Sequence, residues 1–301
     1  MSNVIHKESE EMAVGRLKYP SVLASIYRPQ ALLKLVTDGI SSEFLNLLST
    51  SGLTSTLPRN TTVHEAFEAG FDRLFSEYRN EYIYKNIIAT NVFLGRHLIN
   101  SSSMLPEFRI GKSKIDVAIF NGTSTGYEIK SELDSLDRLS DQFKDYLLFF
   151  DKMYVVTHSN HLKALERVLP HRVGLMLLKD KGSLSVVREA VSNAENTDPS
   201  VIFDSLRMGE YKSIIKKEYG EIPNVPNTLI FKECKKLFTQ MAPTKAHSHA
   251  VTALRQRSLK KALVQDFKWV PKSLIFTWTV SNLKESDRLT LSHTFNQALH
   301  S

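Results

Sequence analysis

Between residues 20 and 50 apolar side chains recur at helical spacing, with Leu32, Leu33, Leu35, Val36, Leu45, Leu47 and Leu48 supplying the faces of predicted helices. Ser49–Thr62 is rich in Ser and Thr, contains Gly52 and Pro58, and reads as a connection. A long helical pattern then runs from Val63 to about His97, carried by Phe67, Phe71, Leu74, Phe75 and Tyr78. Gly70 and Gly95 weaken it locally, so it is one helix or two. At Pro106 the texture changes to short β-branched and aromatic runs bounded by turn formers. These predict strands over Glu107–Ile110, Ile115–Phe120, Thr125–Ser131, Met153–Thr157 and Val173–Lys179. A helix is predicted over Asp134–Phe150, capped by Asp134 with Asp137 near its positive end and Leu136, Leu139, Phe143, Leu147 and Phe150 as its buried stripe. A second, over Leu162–Leu169, separates the last two strands. The order is helix, three strands, helix, strand, helix, strand, a mixed α/β core. The tail from about Ala190 is mostly helical, punctuated by Pro223, Pro226, Pro243 and Pro271. The pattern divides the chain into a helical N-terminal extension (1–62), an α/β core (63–189) and a helical C-terminal region (190–301).

Composition narrows the class. Of 301 residues 42% are hydrophobic and 24% charged, enough to build a core and unlike a disordered chain. The one cysteine, Cys234, excludes an intramolecular disulfide, a CxxC redox pair, an all-cysteine zinc site and a cysteine-ligated iron–sulfur cluster. The first residues, MSNVIHKESEEM, are polar, with nothing like a signal peptide. No run approaches the ~18 apolar residues of a membrane span, so a soluble, cytoplasmic protein with no membrane partner is expected.

Charge is uneven. From Ser205 to Lys272 there are 14 Lys and Arg against 5 Asp and Glu, so this stretch carries +9 of a total of +7 and the remainder is net acidic. Lys212, Lys216 and Lys217, then Lys232, Lys235 and Lys236, then Arg255, Arg257, Lys260 and Lys261 form three successive clusters. Each alone is a solvated helix face; together they predict a surface for a polyanion.

The candidate chemistry sits on the second and third strands. Asn121-Gly122 is a strong hairpin signal. Asp116 lies six residues before Gly122 and Glu128 six after, so a turn there sets the two carboxylates opposite each other within one register step. Alternation puts Glu128 and Lys130 on one face and Tyr127 and Ile129 on the other. It also makes Ile115, Val117 and Ile119 one apolar face, and sets Asp116 beside the small Ala118. Two carboxylates so close raise each other's pKa unless a cation intervenes, and a hard divalent ion answers this economically. The plainer alternative is a salt-bridged set of Asp116, Glu128, Lys130 and Lys114 on an exposed face.

Asp116 followed across a hairpin by Glu128-Ile129-Lys130 resembles the signature of the PD-(D/E)XK nuclease superfamily, whose helix–strand–strand–strand–helix–strand core matches the order above. The resemblance implies an α/β fold with a restriction-endonuclease-like mixed β-sheet core and helical N- and C-terminal extensions. The RecB-like and lambda-exonuclease-like branches carry a Gln-x-x-x-Tyr pair on the helix after the Lys strand, as Gln142 and Tyr146 stand here at i, i+4. Members tend to add a glutamate from the helix before the sheet; Glu81 is the candidate and Glu77 its substitute. The name-giving Pro before the Asp is absent, with Ile115 in its place. Within the superfamily the chain resembles an uncharacterised bacterial family, over about residues 77–180.

The resemblance implies a Mg2+- (or Mn2+-) dependent nuclease, acting on DNA in preference to RNA through in-line attack by water. Asp116, Glu128 and Glu81 would serve the metal, with the Ile129 carbonyl a further ligand. Lys130 would orient the water, Gln142 and Tyr146 would orient substrate or the Lys strand, and Arg138 would reach a phosphate, with Lys232, Lys235 and Lys236 holding the nucleic-acid backbone. The alternative is a non-catalytic nucleic-acid-binding or scaffold protein that keeps the fold. His247-Ser-His249 without further ligands does not make a metal site, and no GxxxxGK[ST] loop is present, so no ATP is expected. Oligomeric state is not legible in the sequence.

Overall fold

The computed structural model describes residues 16–95, 102–132, 134–137, 139–257 and 263–299. The chain forms two compact units, residues 1–83 with 266–301, and residues 84–265. The boundaries expected at 62/63 and 189/190 do not coincide with this division.

The first unit is helical: α1 (Pro20–Ala24), α2 (Pro29–Asp38), α3 (Ser42–Ser51), α4 (Val63–Glu77) and the start of α5 (Glu81–Ile88), joined late in the sequence by α13 (Ile275–Val280) and α14 (Glu285–Phe295). Helix α4 opens on a capping box, Thr62 Oγ1 accepting from the Glu65 amide at 3.2 Å while Glu65 Oε2 accepts from the Thr62 amide at 2.8 Å. The chain breaks after α4 at Tyr78–Asn80 rather than at Gly70. A long-range tie explains why this unit is discontinuous. The Val63 amide donates to Gln297, the Leu299 amide donates to Thr61, and Thr62 bridges Ala298. Tyr27, Phe67 and Phe295 pack in the same core, with Phe67 edge-on to both of the others.

The second unit is built on six strands, β1 (Ser103–Ile110), β2 (Ser113–Phe120), β3 (Ser124–Lys130), β4 (Lys152–Thr157), β5 (Gly174–Leu178) and β6 (Leu184–Arg188), in the order β1-β2-β3-β4-β5-β6. β1, β2 and β3 are antiparallel, β3, β4 and β5 parallel, and β6 antiparallel to β5. It is an α/β fold with a mixed sheet and helical extensions, as expected. β6 is additional to the predicted strands; it is an edge strand with no fully buried residue, so its alternation is faint. The crossovers are α6 (Leu139–Leu147) and α7 (Ser159–Val168).

Helix α6 starts five residues later than the apolar stripe predicts. The Asp134 carboxylate closes back on the amide and hydroxyl of Ser131 (2.8 and 2.7 Å), and the Ser135 hydroxyl accepts from the Asp137 amide at 3.2 Å. Such local side-chain bonds compete with helix formation.

The remaining helices of this unit, α8 (Pro199–Asp204), α9 (Met208–Tyr219), α10 (Asn227–Phe238) and α11 (Pro243–Leu254), share one core with the sheet. Phe203, Ile215, Phe238 and Leu254 are buried in the same cluster as Phe108, Phe120, Phe149 and Phe150. That shared core is why the chain does not divide at 189/190. Helix α12 (Leu263–Asp266) leads out of the unit toward α13 (Ile275–Val280) and α14 (Glu285–Phe295). No helix among the described residues is long and apolar enough to cross a membrane.

Candidate active site

The hairpin between β2 and β3 turns through Asn121-Gly122-Thr123, with the Asn121 amide donating to the Thr123 carbonyl at 3.1 Å and Gly122 at φ +113°. A side chain at position 122 would be strained there. The register runs Phe120↔Ser124, Ile119↔Thr125, Ala118↔Gly126 and Val117↔Tyr127, so the next step sets Asp116 level with Glu128. Here the backbone ladder gives way to a side chain, Asp116 Oδ2 accepting from the Ile129 amide at 2.7 Å. The carboxylate of β2 thus sits on the peptide between Glu128 and Lys130.

Alternation along β2 slips at the same level. Ile115 joins Ala118 and Phe120 in the core cluster, while Val117 and Ile119 are buried outside it. The expectation that Ile115 shares a face with Val117 and Ile119 is therefore corrected. On β1 the residue at this level is Glu107, the only non-glycine with positive φ (+48°) among the described residues. It follows Pro106, which has no N–H to give the ladder.

β3 is the central strand and every one of its residues is buried. Gly126 is required at its middle, since a Cβ there would lie 2.4 Å from Met153 Sδ and 2.6 Å from Ile115 Cδ1. Two residues on, Glu128 is 2% exposed, and Lys130 follows at 9%. Lys130 Nζ donates to Glu128 Oε1 at 3.0 Å and to Gln142 Oε1 at 3.3 Å. Gln142 Nε2 donates to the Tyr146 hydroxyl at 3.3 Å. That hydroxyl lies 3.0 Å from Glu128 Oε2 and 2.9 Å from the Lys114 carbonyl, and its single proton serves one of them at a time. The i, i+4 spacing of Gln142 and Tyr146 on α6 delivers both to one face, as predicted.

Burial lifts the Glu128 carboxyl above the usual carboxylate range, against the opposing pull of the Lys130 charge and its hydrogen bonds from Lys130 and Tyr146. Burial, then the Glu128 charge, pushes the Tyr146 phenol far up, so it stays a neutral donor. Asp116 is half-buried and so keeps access to solvent. Of the salt-bridged set in the plainer reading, the Lys130–Glu128 pair forms, but buried rather than on an exposed face, and Lys114 pairs with Glu107 at 2.5 Å.

The other predicted residues fall elsewhere. Glu81 opens α5 on the first unit's side of the division. Glu77 is committed within the first unit, accepting from the Leu17 amide (2.8 Å) and Arg73 (2.6 Å). Although burial raises its carboxyl, these bonds hold it below the usual range, which removes it as a substitute. Arg138, Lys260 and Lys261 lie outside the described residues. On α10, Lys232 and Lys236 are exposed, whereas Lys235 clasps both oxygens of Asp204 at 2.7 Å.

His247 and His249 diverge, so no His-x-His site forms from them: His249 meets Glu218 at 3.1 Å, and His247 meets the buried Ser124 hydroxyl at 2.7 Å. Burial holds the His247 imidazole below its ordinary pKa, with Asp151 opposing. The unfolded chain therefore takes up the proton first as pH falls through about 6.5. Stability is expected to drop between about pH 7 and pH 5, and His247→Gln, which preserves a bond to Ser124, should flatten that slope in denaturant titrations. An unchanged slope would show that other groups govern the acid limb.

Sequence reasoning passed over His158. It follows β4 and reaches Glu132 at 3.4 Å and Asp180 at 3.9 Å, beside the C-terminal ends of the parallel strands. That position, where open α/β sheets place their sites, was the signal.

Among the described residues no group of three or more His, Cys, Asp and Glu side chains gathers in position to hold a metal. Two carboxylates and a neighbouring carbonyl match a hard ion that keeps waters, such as Mg2+, and do not match zinc.

Fold and cluster together define an α/β protein whose mixed sheet carries a buried carboxylate–lysine–tyrosine network at the open end of a hairpin. Residues 75–274 match the family model described as bacteriophage P4 protein cII, and the chain belongs to that family. No curated protein matches it. Among solved structures, the SPO1766 protein of unknown function from Silicibacter pomeroyi is similar at 18% identity over 54% of this chain and 86% of that one. Its TM-score of 0.26 carries no argument about this chain.

Proposed function

We propose that this protein is a Mg2+-dependent nuclease that hydrolyses phosphodiester bonds, of DNA in preference to RNA, within the PD-(D/E)XK superfamily. The observation that carries the reading is the junction of β2 and β3. Asp116 is level with Glu128 and bonded to the Ile129 amide, while Lys130 stands 3.0 Å from Glu128.

Asp116, Glu128 and the Ile129 carbonyl are the donors for the ion, Mg2+ or Mn2+. When bound, it neutralises charge developing on the phosphate and lowers the pKa of a water. Lys130 orients the attacking water and stabilises negative charge on the phosphoryl oxygens. Gln142 and Tyr146 hold Lys130 and Glu128 in place, which is the strand-orienting one of their two expected roles.

The second reading, a non-catalytic nucleic-acid-binding or scaffold protein, draws on the fact that both Glu128 oxygens already have partners, Lys130 and Tyr146. Incubating the protein with plasmid, linear DNA and RNA in EDTA, Mg2+ or Mn2+ separates the two. Metal-dependent cleavage is expected. Binding without cleavage under every metal condition would select the second reading.

A further inference from the structure

A cleft of about 540 Å3 runs along the outer side of β1, within the second unit. One wall is β1 from Leu105 to Arg109; the other is the segment from Asp204 to Arg207, which joins α8 to α9. β1 is the edge of the sheet and pairs with β2, so one strand separates the cleft from the strand that carries Asp116. Glu107, on its wall, is the β1 residue level with Asp116, between the pairs Pro106↔Val117 and Phe108↔Ile115.

The charges of the cleft are sorted by its ion pairs. Glu107 is taken by Lys114 at 2.5 Å, with Lys85 at 3.8 Å, and the Lys114 hydrogen bond holds its carboxyl low. Asp204 is taken by Lys235 through both oxygens. Arg257 is fixed by Glu210 through two nitrogens at 2.6 Å, donates to the Ser205 carbonyl at 2.8 Å and lies over the Phe108 ring. Both acids that face the cleft are thereby neutralised and one arginine is locked. The two cations left are Arg109 and Arg207, both exposed and neither within ion-pair distance of a carboxylate among the described residues; the carboxylate whose charge Arg207 feels, Glu210, is already engaged by Arg257 and by the Arg207 amide at 2.7 Å. Arg207 is also the residue that opens α9, at the positive end of a twelve-residue helix.

Two guanidinium forks, on opposite walls of a cleft beside a candidate phosphodiester-cleaving centre, match phosphate oxygens. We propose that this cleft holds the sugar-phosphate backbone of the nucleic-acid strand that runs to Asp116 and Glu128, with Arg109 and Arg207 gripping its phosphates. The proposal rests on the nuclease reading for its direction toward Asp116. It also reassigns Lys235, which serves the backbone indirectly by masking Asp204.

The test is fluorescence anisotropy with a labelled DNA duplex in EDTA across a salt series. R109Q/R207Q is expected to bind about tenfold more weakly at moderate salt. Its slope of log K against log salt should shrink by about 1.8, which is 0.9 for each phosphate that is no longer neutralised. Lys235→Ala should also weaken binding, by exposing Asp204 to the phosphates, and adding Asp204→Asn should restore it. Restoration would not follow if Lys235 itself touched DNA. Circular dichroism and thermal melting check that each variant is folded. An unchanged affinity and slope in folded R109Q/R207Q overturns the proposal. The two readings fail separately. A reduced slope in R109Q/R207Q supports the cleft even if the wild-type protein cleaves nothing, whereas a flat response alongside metal-dependent cleavage removes the cleft and leaves the nuclease reading.

Discussion

Asp116→Asn and Glu128→Gln are each expected to reduce metal-dependent DNA cleavage to background while the protein stays folded. Both substitutions remove a negative charge and keep the shape. An asparagine oxygen at position 116 can still accept from the Ile129 amide, the bond Asp116 makes at 2.7 Å. At position 128 a glutamine oxygen can accept from Lys130. Its NH2 can donate to the Tyr146 hydroxyl, which then gives its own proton to the Lys114 carbonyl, 2.9 Å away. What the amides cannot do is neutralise a divalent cation. The sequence alone leads to the expectation that either change relieves carboxylate repulsion and stabilises the metal-free protein. For Glu128 the structure alters that sign, since Lys130 is 9% exposed and would lose its only carboxylate partner among the described residues. A cost of roughly 1–3 kcal/mol is expected for Glu128→Gln. Cleavage by either folded variant at near wild-type rate would sink the two-carboxylate assignment.

Lys130→Ala should lower kcat by about 100- to 1000-fold with little change in DNA affinity, because its role lies in the transition state. A purely structural lysine would show a different signature, so stability must be read alongside rate. Without Lys130 the buried Glu128 loses the charge that opposes its desolvation, and its carboxyl rises further above the usual range. A carboxyl raised in the folded state keeps its proton while the unfolded chain sheds it. The stability deficit of Lys130→Ala should therefore be small near pH 4 and grow as pH rises toward 8. Single-turnover cleavage and denaturant titration across that range measure the two effects independently. Loss of DNA binding with an undiminished single-turnover rate would move Lys130 to a phosphate-binding role.

The parts of this molecule legible in the sequence were those set by local rules. Asn121-Gly122 fixed the turn, and counting from it placed Asp116 level with Glu128. The four-residue spacing placed Gln142 with Tyr146. Where local rules competed, the pattern misled. Leu136 continues the apolar stripe of α6, but Ser131, Asp134, Ser135 and Asp137 satisfy one another first and delay the helix. The change of face at Ile115 was hidden because it accompanies the positive-φ residue Glu107 on the neighbouring strand β1, which β2's own alternation does not announce. Glu77 and Glu81 looked interchangeable on one helical run; only the folded first unit shows Glu77 engaged by Leu17 and Arg73. Likewise the lysine triplet on α10 reads as one basic patch until Asp204, thirty-one residues from Lys235, is brought to it.

The discontinuity of the first unit has a consequence during synthesis. Thr61–Val63 leaves the ribosome more than two hundred residues before its partners Gln297–Leu299. The whole second unit, residues 84–265, is therefore available to fold while the N-terminal helices still lack Trp278 and Phe295, both buried in their finished core. Domains that fold as units during translation do so in order of completion, which here inverts the order of the sequence. Chains ending at Gln265 and tethered to the ribosome by a linker long enough to clear the exit tunnel should thus protect residues 84–265 from protease while leaving residues 16–83 open to cleavage.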